Sequence, residues 1–252
     1  LGNAKTIGWV HNSFEALFSK QSTYIGEELK HHYFYQFKRL DRVVVLCNFD
    51  ANRYRNYDKN INPCVIYNPL TLSPGALSKG TSKKFLAVGR FSHLHKGFDI
   101  LINAFNIFAK NDKEWTLDIV GEGPEETMYR ELISKYSLEN RITIHPFTSD
   151  IQSHYSEAQI YVLSSRWEGF GLVLVEAMAH GLPVVSSDLP TSHEIMGDFG
   201  MYFKNGDAEA LAMKLHEATT IDWKEKSEKA IEISRCFDVE TITAQWVSII
   251  ES

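Results

Sequence analysis

Cysteine is scarce in this chain: its 252 residues contain three, Cys47, Cys64 and Cys236. They are widely spaced, odd in number and form no CxxC, which argues against a disulfide scaffold or a zinc site and suits a reducing cytoplasm. Long hydrophobic runs are missing as well. No stretch approaches the roughly 18 apolar residues of a membrane span, and no charged segment precedes an apolar one, so neither a transmembrane helix nor a signal peptide is read. An excess of basic residues is absent too: 26 Lys and Arg against 32 Asp and Glu leave a net charge of −6. The overall field therefore gives no reason to expect a nucleic-acid partner, and a phosphate ligand would need a local basic pocket. Internal repeats and low-complexity tracts are also lacking. What remains is an ordinary globular composition, 44% hydrophobic and 23% charged, enough for one large or two small domains.

The most informative stretch runs from Ser164 to Ser187. The apolar run Ile160 to Leu163 leads in, Gly169-Phe170-Gly171 follows, an apolar helical segment comes next, and Pro183 to Val185 leads out. The order reads strand, glycine loop, short helix, strand. Gly181 suits a left-handed helix end and Pro183 cannot extend the helix. At its start, Gly169 and Gly171 allow the backbone close to a ligand, and the free N–H groups near Leu172 and Val173 favour an anion. Glu168 in the loop and Glu176 about one turn into the helix then flank one anion site.

Taken in order, the chain opens on a buried strand at residues 7–10 that already reads as the interior of a fold, so an upstream segment is expected. His11 ends that strand; Asn12 and Ser13 beside it are good helix starters, which leaves a capping or core role open for the histidine. Residues 24–41 read as a helix with Leu29, Tyr33, Phe37 and Leu40 on one face. Lys30, His31, His32, Lys38, Arg39 and Arg42 occupy the rest, so the helix either faces a core with a solvated charged side or rests on an anionic membrane surface. Residues 43–47 and 63–67 read as strands, with a short helix at 50–57 between them. Residues 68–84 hold Pro69, Pro74, Gly75 and Gly80 with little apolar periodicity and are the best linker candidate.

Beyond the linker, strands at 85–88, 115–120 and 142–145 alternate with helices marked by Ile100 to Phe108, by 125–136 and by 151–156. Helices near 208–219 and 223–235 follow the central stretch, and Ile242, Trp246, Ile249 and Ile250 mark a final amphipathic helix. Such a series implies an α/β protein with a doubly wound parallel sheet and a ligand crevice at the strands' carboxyl ends. The first of these strands ends in Gly89-Arg90, and Lys96-Gly97 comes just before the next helix. Arg90 and Lys96 thus share one carboxyl-end loop and can converge on a diphosphate, one as a fork and the other as a point charge, unless both are solvated loop charges. Gly121-Glu122-Gly123-Pro124 lacks a third glycine, because Glu126 stands at its place, and reads as a turn. His93-Leu94-His95 has no third metal ligand at sensible spacing.

Glu168 and Glu176, with Gly169-Phe170-Gly171 between them and Ala177-Met178-Ala179 and Gly181-Leu182-Pro183-Val184-Val185 after, resemble the E-x7-E signature of the family 4 retaining glycosyltransferases. Arg90 and Lys96 match the basic pair that precedes that signature in the family. The resemblance implies the GT-B fold: a remnant of the N-terminal, acceptor-side Rossmann-like domain over 1–70, a linker at 71–84, and a Rossmann-like nucleotide-sugar domain over 85–237. A helix at 238–252 would cross back toward the N-terminal domain. It also implies transfer of a sugar from a nucleotide diphosphate sugar, UDP in preference to GDP, to a saccharide or lipid-linked acceptor in cell-surface polysaccharide or glycolipid synthesis. The location implied is cytoplasmic, with peripheral contact at the inner face of a membrane as an option.

By the same resemblance, His11 lies beside the donor sugar, Glu168 contacts that sugar and Glu176 the nucleotide ribose, with Gly169, Phe170 and Gly171 at the donor between them. Phe147 and Thr148, in the segment Pro146 to Asp150, match the region that contacts the base. The diphosphate leaves with negative charge, and Arg90, Lys96 and the helix start at Leu172 and Val173 would stabilise it. No D-x-D occurs anywhere in the chain, so no metal clamp is read and no cofactor is expected. Two alternatives stay open: a module that holds a sugar nucleotide without turning it over, and another GT-B activity such as a sugar-nucleotide epimerase.

Overall fold

The computed structural model of the chain describes residues 4–20, 22, 24–92 and 95–252. In chain order its elements are β1 (Ile7–Trp9), α1 (Phe14–Phe18), α2 (Gly26–Phe37), β2 (Arg42–Val45), α3 (Asn48–Tyr57) and β3 (Cys64–Val65). There follow β4 (Lys84–Val88), α4 (Phe98–Phe108), β5 (Thr116–Val120), α5 (Glu126–Lys135), β6 (Ile142–His145), α6 (Ile151–Glu157) and β7 (Ile160–Leu163). The last are α7 (Leu172–Ala179), β8 (Val184–Ser187), α8 (Pro190–Met196), β9 (Met201–Phe203), α9 (Ala208–Ala218), α10 (Trp223–Ser234) and α11 (Val239–Glu251). The chain divides into two compact units, one of Leu1–Thr71, Trp167–Leu172 and Phe237–Ser252, the other of Leu72–Arg166 and Val173–Cys236.

In unit 2 the six strands are all parallel and lie in the order β6-β5-β4-β7-β8-β9. This is a doubly wound sheet whose order reverses between β4 and β7. Its strands are near-continuous apolar runs because helices cover both faces. The α4 sequence FDILINAFNIF buries Ile100, Leu101, Ile102, Ala104, Phe105 and Phe108, and α9 packs against it. Phe85 meets Trp115 at 4.5 Å and Phe108 at 5.4 Å between ring centroids, so one sheet face is sealed by aromatic rings. Asp207 caps α9, its carboxylate accepting from the N–H groups of Glu209 and Ala210.

In unit 1 the parallel strands lie in the order β1-β2-β3. One face is an aromatic cluster of Phe14, Phe18, Phe34, Phe37 and Tyr54. On the other face Ile242 is buried against Val44 and Ile66, with Trp246 and Ile249 packed beside them, so α11 belongs to this unit. Asp50 does a job its position in sequence did not disclose: buried, it accepts the backbone N–H of Phe14 at 3.0 Å and completes the start of α1. Ser13 caps the same helix through its hydroxyl.

Several local expectations shift. The helix expected over 24–41 is shorter: of its expected face, Phe37 is buried and Tyr33 and Leu40 pack against the same core, joined by the buried Phe34, whereas Leu29 is 60% exposed. Lys30 does not serve the solvated side, because its ammonium lies 4.7 Å from the Phe14 ring and 4.3 Å from the Tyr57 ring. The helix read from Asp50 begins at Asn48, since the Cys47 sulfur accepts from the Asp50 N–H. β3 is two residues long, and α8 and β9 carried too little periodicity to be read. Most of the linker candidate falls in unit 2, where the buried Ser78 donates its N–H to the His180 carbonyl and its hydroxyl to that of Ala158. None of the three cysteines forms a disulfide, and among the described residues no helix is long and apolar enough to cross a membrane.

Candidate functional site

A sheet whose strand order reverses sends adjacent loops to opposite sides, which opens a crevice at the carboxyl ends of its strands. In unit 2 a cleft of about 790 Å³ occupies the ends of β4, β5 and β6, and its walls include Arg90, Glu122, Phe147, Thr148, Ser149 and Glu176. Four residues singled out in the sequence, Arg90, Phe147, Thr148 and Glu176, thus meet in one cavity. Arg90 and Phe147 are exposed, the ring of Phe147 at 68%. A large apolar ring held open to solvent at a cavity mouth suits stacking on a planar ligand.

The loop after β4 is built by close approach. A Cβ on Gly89 would lie 2.8 to 3.0 Å from three side-chain carbons of Lys96, so the lysine stem runs across the bare glycine. Gly97 caps α4 at φ +64°, and a Cβ there would stand 2.0 Å from the Ser164 carbonyl oxygen. Gly121 approaches the Gly89 carbonyl equally closely, and the Phe91 N–H donates to the Glu122 carbonyl at 2.8 Å. The glycines of 121–124 therefore serve a loop crossing rather than a dinucleotide fingerprint.

Glu176 is half-buried on α7. Burial pushes its carboxyl above the ordinary range, while the Tyr155 hydroxyl and the Lys96 ammonium pull it back. The Tyr155 O–H donates to Glu176 Oε2 at 2.8 Å. Lys96 is not part of the cleft wall but acts on Glu176 through its charge.

Three residues not singled out in the sequence brace this loop. Arg166 grips Asp99 in a two-pronged pair of 2.8 and 2.7 Å, and its N–H donates to the His95 carbonyl. The Ser164 hydroxyl donates to the Lys96 carbonyl at 2.8 Å. A partly buried pair of this geometry fixes direction as well as contributing energy. The partners stand 67 and 68 residues apart, so spacing carried no signal for them.

The remaining residues singled out sit in or next to unit 1. A Cβ on Gly169 would lie 2.5 Å from the His11 carbonyl oxygen, which sets these two backbones side by side. The His11 ring is exposed and lies 4.1 Å from that of Trp9. Glu168 is buried. Phe170, expected at the donor, instead buries its ring against Tyr67 and Phe237, 5.7 Å from each, and leaves only its backbone for a ligand. That insertion explains why Trp167–Leu172, expected within the domain at 85–237, falls to unit 1. Gly171 has φ +88° and Leu172 opens α7, with the half-buried Val173 next on the unit 2 side.

Among the described residues one group of metal-ligand type comes together, in unit 2: Asp118, His145 and His154 place ligand atoms within 4.8 Å of one another. Lys84 already sets its ammonium 2.9 Å from Asp118 Oδ2, so the protein supplies its own cation there. His93 lies outside the described residues, so the His93-Leu94-His95 trio is not placed.

Residues 72–236, more than half of the chain, match the sequence profile of the glycosyl transferases group 1. The chain belongs to this family. An uncharacterised glycosyltransferase of Haemophilus influenzae is 35% identical over 186 residues, covering 73% of this chain and 50% of that protein. The GtfA subunit of a UDP-N-acetylglucosamine–peptide N-acetylglucosaminyltransferase of Streptococcus agalactiae is 32% identical over 207 residues, 77% of this chain and 39% of its own length. This group 1 glycosyltransferase chain thus spans about half or less of the length of those two relatives. A crystal structure of a TarM mutant from S. aureus with Fondaparinux, alpha-GlcNAc-glycerol and UDP aligns with a TM-score of 0.87 at 22% identity, covering 100% of this chain and 52% of that one. The fold is of the GT-B type.

Proposed function

We propose that this chain carries the donor-binding half of a family 4, retaining glycosyltransferase that takes a UDP-sugar and needs no metal. The observation that carries the reading is the cleft at the ends of β4 to β6, where Arg90 and Glu176 line one cavity and Lys96 crosses Gly89 beside it. In this reading the nucleotide base rests at Phe147 and Thr148, the ribose hydroxyls donate to Glu176, and the diphosphate lies toward Arg90, Lys96 and the opening turn of α7. When the bond from the anomeric carbon to the diphosphate breaks, negative charge grows on the leaving oxygens. Preorganised donors at such a place contribute typically ~10²–10³ in rate each. Glu168 and His11 are assigned to the donor sugar through the E-x7-E resemblance.

The name of the S. agalactiae relative supports a UDP donor. A saccharide or lipid-linked acceptor in cell-surface polysaccharide or glycolipid synthesis is the acceptor class proposed, with peripheral membrane contact through the exposed Leu29 and Tyr35 of α2.

Calorimetry with UDP, GDP and UDP-sugars tests the reading. UDP is expected to bind more tightly than GDP, and Arg90→Ala to weaken UDP by at least about tenfold, as the loss of a charge-assisted contact does. Absence of UDP binding, or turnover of the whole protein unchanged by both Arg90→Ala and Glu168→Ala, overturns it.

A further inference from the structure

We infer that Tyr155 is a positioning residue for Glu176 and so sets how tightly the cleft holds the ribose of a nucleoside diphosphate; the inference rests on the donor-site reading above. Tyr155 is fully buried on α6, and its hydroxyl donates to Glu176 Oε2 at 2.8 Å. Its ring stacks on His180, 4.9 Å away at 23°, with Tyr161 at 6.0 Å. His180 stands one turn beyond Glu176 and is itself fully buried, with Nδ1 2.7 Å from the Glu176 carbonyl oxygen. Burial pushes this imidazole down, and because a carbonyl oxygen only accepts, Nδ1–H is the donor. Packed in this way, the phenol occupies one oxygen of a carboxylate that also lines the cleft. Oε1 is the oxygen that remains for a ribose hydroxyl.

A half-buried glutamate without this partner would lose both its orientation and part of its charge. Burial favours the neutral acid, and the groups that face the carboxylate decide how far: Lys96 and the Tyr155 hydroxyl favour the anion, Arg90 and Glu122 share the cleft, and His180 lies behind. Tyr155 stays protonated, because burial and the neighbouring carboxylate both push its phenol far above its ordinary range. It is thus a permanent donor that favours the Glu176 anion and aims it. Removing the hydroxyl lets the carboxyl rise further, so the fall in ribose binding on acidification begins at a higher pH.

UDP is titrated into wild type, Tyr155→Phe, Glu176→Ala and the double variant, from acid to neutral pH, with thermal midpoints of the unliganded proteins as a check on folding. Tyr155→Phe is expected to weaken UDP by about three- to tenfold at neutral pH, to move the acid limb of binding upward, and to change KM for the donor more than kcat in the whole enzyme. In the Glu176→Ala background the same change is expected to be silent. Wild-type affinity and an unmoved acid limb in Tyr155→Phe overturn the inference, as does an equal loss when Glu176 is already gone. A wild-type chain that does not bind UDP removes the donor-site reading itself, and this inference with it.

Discussion

Glu176 shows how a single side chain in this protein is governed by neighbours from three directions. Burial pushes its carboxyl up and outweighs a phenol from α6 and an ammonium from the loop after β4 that pull it down, and the group stands at the wall of the cleft. The loop that brings the ammonium depends in turn on Gly97. That residue sits at φ +64° with the Ser164 carbonyl where a Cβ would be, so both backbone strain and a steric clash meet any replacement. Gly97→Ala is expected to cost more than about 1 kcal/mol and to displace Lys96, read as a lower denaturant midpoint with weaker UDP binding. An unchanged midpoint would show that the loop can move aside. At this scale the sequence disclosed the residues whose chemistry is local: a basic side chain directly after a strand, glycines before a helix, an acid in its second turn. The pairs Tyr155 with Glu176 and Asp99 with Arg166 stayed hidden, because nothing local to one member specifies the other.

At the scale of elements, caps and faces decide more than propensity. α9 covers α4, a strongly apolar helix of unit 2, and its first turn is satisfied by Asp207 through two N–H groups. Asp207→Ala is expected to lower stability by about 1 kcal/mol, seen as a shifted denaturation midpoint with the same cooperativity. A loss within error would mean that packing on α4 alone holds the helix. α2 teaches the complementary lesson. Its periodicity placed Leu29, Tyr33, Phe37 and Leu40 on one face, and the last three do reach the core, but Phe34 takes the place expected of Leu29, since the rings of Phe14, Phe18 and Tyr54 were there to receive it. Periodicity found the helix and most of its face; its partners chose the rest.

For the whole molecule, a net charge of −6 and a candidate anion site coexist because Arg90 and Lys96 act at short range, where the general field matters little. The proposed chemistry asks for no divalent ion. EDTA is therefore expected to leave UDP binding and transfer unaltered, and activity lost to EDTA and restored by magnesium or manganese would refute metal independence.

The sequence by itself determined the alternation of strands and helices, the glycine loop before α7 and the spacing of Glu168 and Glu176, because hydrophobic period, helix stops and charges at strand ends are properties of neighbouring residues. Only the tertiary structure decided that Phe170 is an anchor between Tyr67 and Phe237, that Arg166 clamps Asp99, and that Tyr155 holds Glu176. Each of these depends on which distant segments the parallel sheets bring within a few ångströms, and no local pattern encodes that meeting.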